Sequence, residues 1–243
     1  MDDQMVNPLE EHLKTQLDSP RSFFWHRLRW LALAEWLPKQ KKITLLDIGA
    51  GAGFAGEYLR EERPLADYKF IEPLSSLEAS LLSRFGLASN YANKLRYPEV
   101  SHVTLLDVLE HQEKDGQFIS ELVEKLNPGV IVLLTVPADK VFWSRWDEIF
   151  GHYRRYSKSN LRDVLTHPKL EVLELSYLFP EMIPLAFFRK WTSRLSAGHA
   201  KEGDFPSLPS WLNRGLTLLG SISLCLRRWM PFGTSLLAVM RVR

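Results

Sequence analysis

The stretch LLDIGAGAGFAGEYL, residues 45–59, joins an apolar run to a helical pattern through a loop with three glycines. The run at 43–50 predicts a buried strand, and the pattern at 53–62 predicts a helix. In a parallel sheet, ligands bind beyond the carboxyl ends of the strands, and glycines in the first strand-to-helix turn let the backbone approach a ligand closely. We therefore expect Gly49, Gly51 and Gly53 to lie at a ligand site.

The composition is that of an ordinary globular protein. Of the 243 residues, 45% are apolar and 25% are charged, and the net charge at pH 7 is +2. The single cysteine, Cys225, excludes an internal disulfide. The acidic start MDDQMVNPLEEHLK lacks the apolar core of a secretory signal, so we expect a cytoplasmic protein.

Strand and helix patterns alternate along the chain. Further strands are predicted at 68–73, 102–111, 130–136, 169–179 and 233–242. Further helices are predicted at 75–85, 116–126 and 157–167. A capping box of Ser75 and Glu78 would begin the first of these helices, and Gly86 would end it. This alternation predicts an α/β fold, a parallel sheet with helices on both faces.

An acidic residue suggests what the glycine loop binds. Glu72 ends the second predicted strand, where a carboxylate can accept hydrogen bonds from both ribose hydroxyls. The combination indicates a ligand that contains a nucleoside. Phe54 stands where a dinucleotide fingerprint has its third glycine, which weakens NAD as the ligand but leaves an NAD-dependent oxidoreductase or epimerase open.

The motifs LLDIGAGAG, FIEP, LLDVLEH and LNPGVIVLLTVPA follow one another within residues 43–138. In order and separation they resemble the class I S-adenosylmethionine-dependent methyltransferases. FFWHRLRWLALAEWL and WSRWDEIFGHYRRYSKSNLRDVL resemble a bacterial small-molecule subgroup, often linked with surface-glycan or lipid biosynthesis. The resemblance implies a Rossmann-like, seven-stranded, mostly parallel sheet with an antiparallel last strand. Residues 1–42 would form an N-terminal helical cap, and 43–243 the methyltransferase domain with a helical insertion at 177–231.

The resemblance also implies S-adenosylmethionine as the cofactor. The glycine loop, fixed by Asp47, would hold its methionine part, Glu72 the ribose, and Pro73 the adenine. The implied cofactor-binding residues are Asp47, Gly49, Ala50, Gly51, Gly53, Glu72, Pro73, Asn90, Tyr91, Asp107 and Val108.

One segment departs from the family pattern. The family usually has an acidic residue after the third strand that binds the adenine amino group, whereas this chain reads SNYANKLRY. Asn90 could accept that hydrogen bond through its amide oxygen. The missing acid leaves open a cofactor-binding but inactive scaffold protein, beside the active enzyme.

The part of the site that binds the methyl acceptor, called here the acceptor end, is predicted to lie in WSRWDEIFGHYRRY. If the acceptor is a hydroxyl, a base must remove its proton, and His152, oriented by Asp147, is the first candidate, with His111 the second. The predicted substrate contacts are Trp143, Arg154, Arg155 and Tyr156, since arginines bind anionic groups and aromatic faces attract a sulfonium. Packing and surface ion pairs are the plainer interpretation of these residues.

No metal site is predicted. Asp107, Glu110 and His111 offer ligand atoms, but the seven histidines include no pair at metal-ligand spacing.

The basic end predicts an amphipathic helix at 211–229. Its longest uncharged run, 215–226, is well short of the roughly 20 residues that cross a bilayer. The helix would therefore pack on the sheet or a second subunit, cover the active site as a lid, or lie on the inner face of the membrane. Long apolar runs interrupt the basic residues, which argues against nucleic-acid binding.

Overall fold

The computed structural model describes residues 8–17, 23–195 and 208–243. Residues 1–7 and 18–22 of the predicted N-terminal cap and residues 196–207 of the predicted insertion lie outside the described residues.

The described residues form one six-stranded sheet. Its strands are β1 Ile43–Ile48, β2 Ala66–Ile71, β3 His102–Leu106, β4 Ile131–Pro137, β5 Leu170–Leu178 and β6 Ser235–Val242. Their order across the sheet is β2-β1-β3-β4-β6-β5. The first four strands are parallel to one another, and β6 lies antiparallel between β4 and β5. The predicted Rossmann-like α/β fold with an antiparallel last strand is confirmed.

Helices cover both faces of this sheet. They are α1 Pro8–Leu17, α2 Phe24–Ala34, α3 Phe54–Glu62, α4 Ser75–Phe85, α5 Asp115–Glu124, α6 Arg145–Ile149, α7 Lys158–Val164, α8 Ile183–Leu195 and α9 Ser210–Leu226. Successive residues of a strand point to opposite faces, so Leu46 joins a core with α5 and α7, while Leu45 joins a core with α2, α3 and α9.

The prediction of seven strands is wrong by one strand for the described residues. Where the third strand was expected, a single bridge pairs Asn90 with Phe70, and the Tyr91 N–H donates to the Phe70 carbonyl at 2.8 Å. The chain then turns at Ala92 and Asn93. The pairing therefore stops after one residue.

The predicted capping box is also wrong. Helix α4 does begin at Ser75 and end before Gly86, but its N-cap residue is Leu74 and no side chain caps it. Glu78 instead accepts a hydrogen bond from the Asn90 side-chain amide at 2.5 Å.

Helix α9 packs against α2 on one face of the sheet. A Cβ atom at Gly220 would lie 2.0 Å from Leu28 Cδ1, so this glycine allows the two helices to approach closely. Arg227, just after α9, is buried and pairs with Glu35 at 2.6 Å and with Glu174 of β5 at 2.7 Å. In the described parts of the chain, no helix combines the length and the apolar character that crossing a membrane requires.

Candidate active site

A cavity of about 810 Å³ opens at the carboxyl ends of the parallel strands. This volume is within the range of about 300–1,000 Å³ that is usual for small-molecule sites. The glycine loop, the loops after β2 and β3, and the segment 142–155 form its floor and one side. Helices α1 and α2 and the ends of α8 and α9 enclose the rest. The cavity therefore has walls from both the predicted cap and the predicted insertion.

The glycine loop has the left-handed conformation that favours glycine. Gly49 has φ +69° and Gly51 has φ +53°. A Cβ at Gly49 would lie 2.7 Å from Val108 Cγ2, so the loop and the end of β3 lie in direct contact. Gly49, Ala50 and Gly51 all line the cavity, whereas Gly53 packs behind the loop, where its Cβ would lie 2.6 Å from Leu81 Cδ2.

Glu72 holds the glycine loop from the neighbouring strand end. Its carboxylate accepts the Gly51 N–H at 2.7 Å and the Leu74 N–H at 2.9 Å. Burial raises the pKa of Glu72, and these two backbone donors oppose the rise. Glu72 and Pro73 both line the cavity, beside the loop with which they were predicted to share a ligand.

Asp47 lies beneath the loop, at the end of β1. Its carboxylate accepts hydrogen bonds from Thr104 Oγ1 at 2.7 Å and from the Tyr68 hydroxyl at 2.8 Å. Burial raises its pKa. Asp47 therefore ties the ends of three adjacent strands together and supports the loop through them.

Asp107 stands at the end of β3 with Val108, and both line the cavity. Asp107 has φ +56°, a strained conformation for a residue with a side chain. Its carboxylate accepts hydrogen bonds from Thr135 Oγ1 at 3.1 Å and from Arg29 Nη2 at 2.5 Å. Sequence reasoning missed Arg29. The available signal was that Arg29 lies three residues after His26, so that both lie on one face of α2, and both line the cavity.

Asn90 and Tyr91 lie outside the lining that the described residues form. The Asn90 amide oxygen accepts the Ala92 N–H at 2.9 Å, and its amide nitrogen donates to Glu78. Tyr91 is buried and its hydroxyl donates to Glu99. The structure therefore does not bring these two residues to the other predicted cofactor contacts.

The acceptor end contains a buried carboxylate with several donors around it. Asp147 Oδ1 lies 2.9 Å from His152 Nδ1 and 2.7 Å from Arg155 Nε. Its other oxygen accepts the Ser144 N–H at 2.9 Å, which caps α6. Burial opposes ionisation, but the hydrogen bonds from His152 and Arg155 outweigh it and lower the pKa of Asp147 to about 2. Asp147, His152 and Arg155 all line the cavity.

His111 lies beside His152, with ring centroids 4.7 Å apart and the rings nearly perpendicular. Burial, followed by the neighbouring His152, lowers the pKa of His111 to about 4, so its imidazole is neutral at pH 7. Glu110 precedes it and is fully buried. The three predicted acid–base residues therefore come together at one end of the cavity.

The remaining predicted substrate contacts point elsewhere. Arg154 pairs with Asp115 at 2.6 Å, and the buried Tyr156 donates to the same carboxylate at 2.9 Å. The Trp143 indole donates to Glu148 at 3.2 Å. Within the described residues, these three do not line the cavity, whereas Trp146 and Phe150 do.

Comparison with known proteins agrees with this architecture. A family model described as a methyltransferase domain matches residues 11–175, which is more than half of the chain. None of the curated proteins matches the sequence.

Several solved structures are similar. A chain from the complex between the Haloferax volcanii Trm112 methyltransferase activator and a methyltransferase shares 18% identity and a TM-score of 0.59, over 96% of this chain and 93% of that chain. A SAM-dependent methyltransferase from Archaeoglobus fulgidus shares 14% identity and a TM-score of 0.52, over 89% of this chain and 94% of that chain.

The plantazolicin methyltransferase BpumL, in complex with a monoazolic substrate analogue and S-adenosylhomocysteine, shares 14% identity and a TM-score of 0.53, over 95% of this chain and 89% of that chain. Sequence identities this low show only that the fold is shared. The assignment to a family rests on the family model, and it no longer favours an NAD-dependent oxidoreductase. The chain belongs to the methyltransferase domain family and is a class I methyltransferase that uses S-adenosylmethionine.

Proposed function

We propose that the chain transfers the methyl group of S-adenosylmethionine to a hydroxyl oxygen of a small lipid-like or glycan-related molecule. The observation that carries this proposal is that one cavity joins the glycine loop and Glu72 to the pair of Asp147 and His152. A cofactor on the loop and an acceptor beside His152 would meet within one enclosed space. Methyl transfer is an in-line displacement, and it depends above all on such alignment.

The chemistry assigns a role to each polar group. S-adenosylmethionine, held by the glycine loop and Glu72, would supply the methyl group, and its carbon–sulfur bond would break as the acceptor oxygen bonds to the methyl carbon. The hydroxyl proton moves to Nε2 of His152, because Nδ1 is already hydrogen-bonded to Asp147. Asp147 stays ionised with its pKa near 2, so it orients the ring and stabilises the imidazolium as a positioning residue.

The walls of the acceptor end support an apolar acceptor. Leu185 of α8 and Leu212 and Leu216 of α9 line the cavity. Arg155 lines it as well, and it can face an anionic group of the acceptor. The three leucines come from two segments, 183–195 and 210–226, that belong to the predicted insertion, so the insertion would help to choose the acceptor.

The outer face of α9 supports contact with a membrane surface. It exposes Leu218 (65%), Ile222 (54%) and Trp229 (86%), the last just beyond the helix. Apolar side chains that are exposed together on one helix are typical of interfacial binding. Because other residues of α9 line the cavity, a lipid-like acceptor could pass from the membrane surface into the site.

The test is a transfer assay with methyl-labelled S-adenosylmethionine and a panel of phenols, isoprenoid alcohols and sugar hydroxyls. For an accepted compound, His152→Asn should lower kcat by about 10²–10⁴-fold and leave the Kd for S-adenosylhomocysteine unchanged. His167→Asn, which alters a histidine far from the cavity lining, is the matched control. Full turnover by His152→Asn would remove His152 as the base, and product methylated only at nitrogen or carbon would contradict the hydroxyl acceptor.

Membrane contact is tested separately by sedimentation with vesicles of anionic and of neutral phospholipid. The wild type should sediment with vesicles, and Trp229→Ser combined with Ile222→Ser should lower the bound fraction. Equal recovery of both proteins in the supernatant would rule out the membrane surface.

A further inference from the structure

Glu110 has a buried carboxylate that the transfer chemistry above does not use. It lies in the 3-10 turn Leu109–His111 after β3, and it is 0% exposed. Within the described parts of the chain, neither Oε1 nor Oε2 has a hydrogen-bond partner. A buried carboxylate without hydrogen-bond partners is strongly unfavourable when ionised. Such a group indicates either a retained proton or a missing cation.

Two histidines face this carboxylate. Glu110, His111 and His152 each offer one ligand atom, and these atoms all lie within 4.8 Å of one another. Ligands in a tetrahedral site with bonds of about 2.1 Å are about 3.4 Å apart. Small side-chain rotations would therefore bring the three atoms to bonding distance of one ion. Among the described residues, this is the one group of three that could hold a metal ion.

The second contacts of the histidines suit metal binding. His152 Nδ1 is engaged by Asp147 Oδ1 at 2.9 Å, which leaves Nε2 for an ion. The His111 ring is hydrogen-bonded to the backbone of Phe150. Histidines that bind metals usually hydrogen-bond a carboxylate or a carbonyl through the other ring nitrogen, which fixes the ring and the tautomer.

The local charge also leaves room for a cation. Arg29 pairs with Asp107 at 2.5 Å, and Arg155 pairs with Asp147 at 2.7 Å. Asp107 and Asp147 therefore have guanidinium partners, whereas neither Glu110 oxygen has a hydrogen-bond partner among the described residues. A divalent cation would supply the partner that this carboxylate lacks.

We propose that Glu110, His111 and His152 bind one divalent first-row transition ion, of the class of Zn²⁺ or Mn²⁺, within the cavity. Two imidazoles and one carboxylate are a donor set that suits these ions, and three protein ligands leave coordination positions open to the cavity. The prediction of no metal considered Glu110 and His111 as ligands, with Asp107, but not His152, because the two histidines come from separate loops. Ion binding does not depend on the proposed function.

A role for the ion in methyl transfer, unlike ion binding itself, rests on the proposed function. The acceptor hydroxyl would occupy an open position, where coordination lowers its pKa, and its proton would pass to water. The resulting alkoxide or phenolate would form the oxygen–methyl bond as the carbon–sulfur bond breaks. His152 would then hold the ion through Nε2 instead of accepting the proton. Methyl transfer would require the ion if His152 is a metal ligand, and would not require it if His152 is the base.

The experiment uses the full chain without an affinity tag, freed of metal with a chelator and titrated calorimetrically with Zn²⁺ and with Mn²⁺. The wild type should bind one ion. Glu110→Gln and His152→Asn should each weaken binding by at least about 100-fold, since removal of outer partners alone costs 10–100-fold. Glu110→Gln keeps the shape of the side chain and removes only the charge. His167→Gln should bind as the wild type does.

Each outcome has one meaning. Absence of a stoichiometric ion, or equal affinity in all four proteins, would overturn the proposed site. Titration with S-adenosylhomocysteine on the same samples reports folding and cofactor binding, so a variant that loses the ion and keeps this ligand supports the site. Metal binding without transfer to any hydroxyl would instead contradict the proposed function and leave the site standing.

Discussion

Replacement of Glu72 by Gln tests the link between the glycine loop and the cofactor. The side chain is only 5% exposed, and its two oxygens accept backbone N–H groups of Gly51 and Leu74. Glutamine keeps the shape, but it has one accepting oxygen, and its NH₂ group would face the second N–H. The variant therefore loses one charge-assisted hydrogen bond and leaves one buried donor unsatisfied.

The magnitude follows from these two contacts. An unsatisfied buried donor costs about 1–3 kcal/mol, so the free energy of unfolding should fall by that amount. For a chain of this size, the melting temperature should fall by about 3–9 °C. If the ribose hydroxyls donate to Glu72, the variant loses one hydrogen bond to a charged acceptor, which is worth about 1.5–3 kcal/mol. The Kd for S-adenosylhomocysteine should therefore rise by about 10–150-fold.

Calorimetric titration and thermal unfolding measure both quantities on the same sample. Glu121→Gln is the control, because Glu121 is exposed on α5 and accepts a hydrogen bond from the Gln117 side chain. Surface changes of that kind usually stay within about 0.5 kcal/mol. A Glu72→Gln protein whose Kd stays within about threefold of the wild type, with an unchanged melting temperature, would refute the role of Glu72 in both loop and cofactor binding.

Three further changes address other parts of the molecule. Gly51→Val introduces a β-branched residue at φ +53°, so S-adenosylhomocysteine binding should weaken at least about 10-fold in calorimetry. Arg227→Met removes the buried partner of Glu35 and Glu174, and urea unfolding should show a loss of about 3 kcal/mol. Burial, followed by the nearby cations, lowers the pKa of His26 from 6.5 to about 3, so below pH 6.5 the unfolded state takes up a proton that the folded state does not. Stability conferred by the neutral ring is therefore lost as the pH falls, and His26→Phe should abolish about 2–3 kcal/mol of the decline between pH 7 and 4.5 in urea unfolding.

Each of these changes has an outcome that would contradict it. Gly51→Val with wild-type affinity would mean that the loop does not contact the cofactor. Arg227→Met with an unchanged midpoint would mean that the Arg227 ion pairs contribute little to stability. Parallel stability curves for His26→Phe and the wild type from pH 7 to 4.5 would show that His26 does not titrate differently on unfolding.

The fold was largely predictable because its evidence is local. Apolar runs bounded by turn residues mark β1, β4 and β6, and the glycine loop follows β1 directly. Because parallel strands end at one edge of a sheet, Glu72 and Asp107 could be placed near that loop from their positions alone. The structure does bring these residues to one cavity.

The missing strand illustrates where local evidence fails. The segment SNYANKLRY has no clear hydrophobic periodicity, so its sequence does not distinguish a half-buried strand from a turn. The sequence is compatible with two roles for the Glu78 side chain, as a capping group or as a partner for a distant amide, and the structure shows the second. Its pairing with Asn90 depends on where the chain returns to the sheet edge, which no local pattern encodes.

The sequence by itself determined the α/β architecture, the glycine loop and the acidic strand end, because short-range periodicity and backbone preference decide them. Tertiary structure alone decided which side chains share the cavity. The contacts of Arg29 with Asp107, and of His152 with His111, join elements that are far apart in the chain or lie on different loops. Those distances are set by helix packing on the sheet, where side chains from remote segments compete for the same volume, and this competition leaves no periodic signal in the sequence.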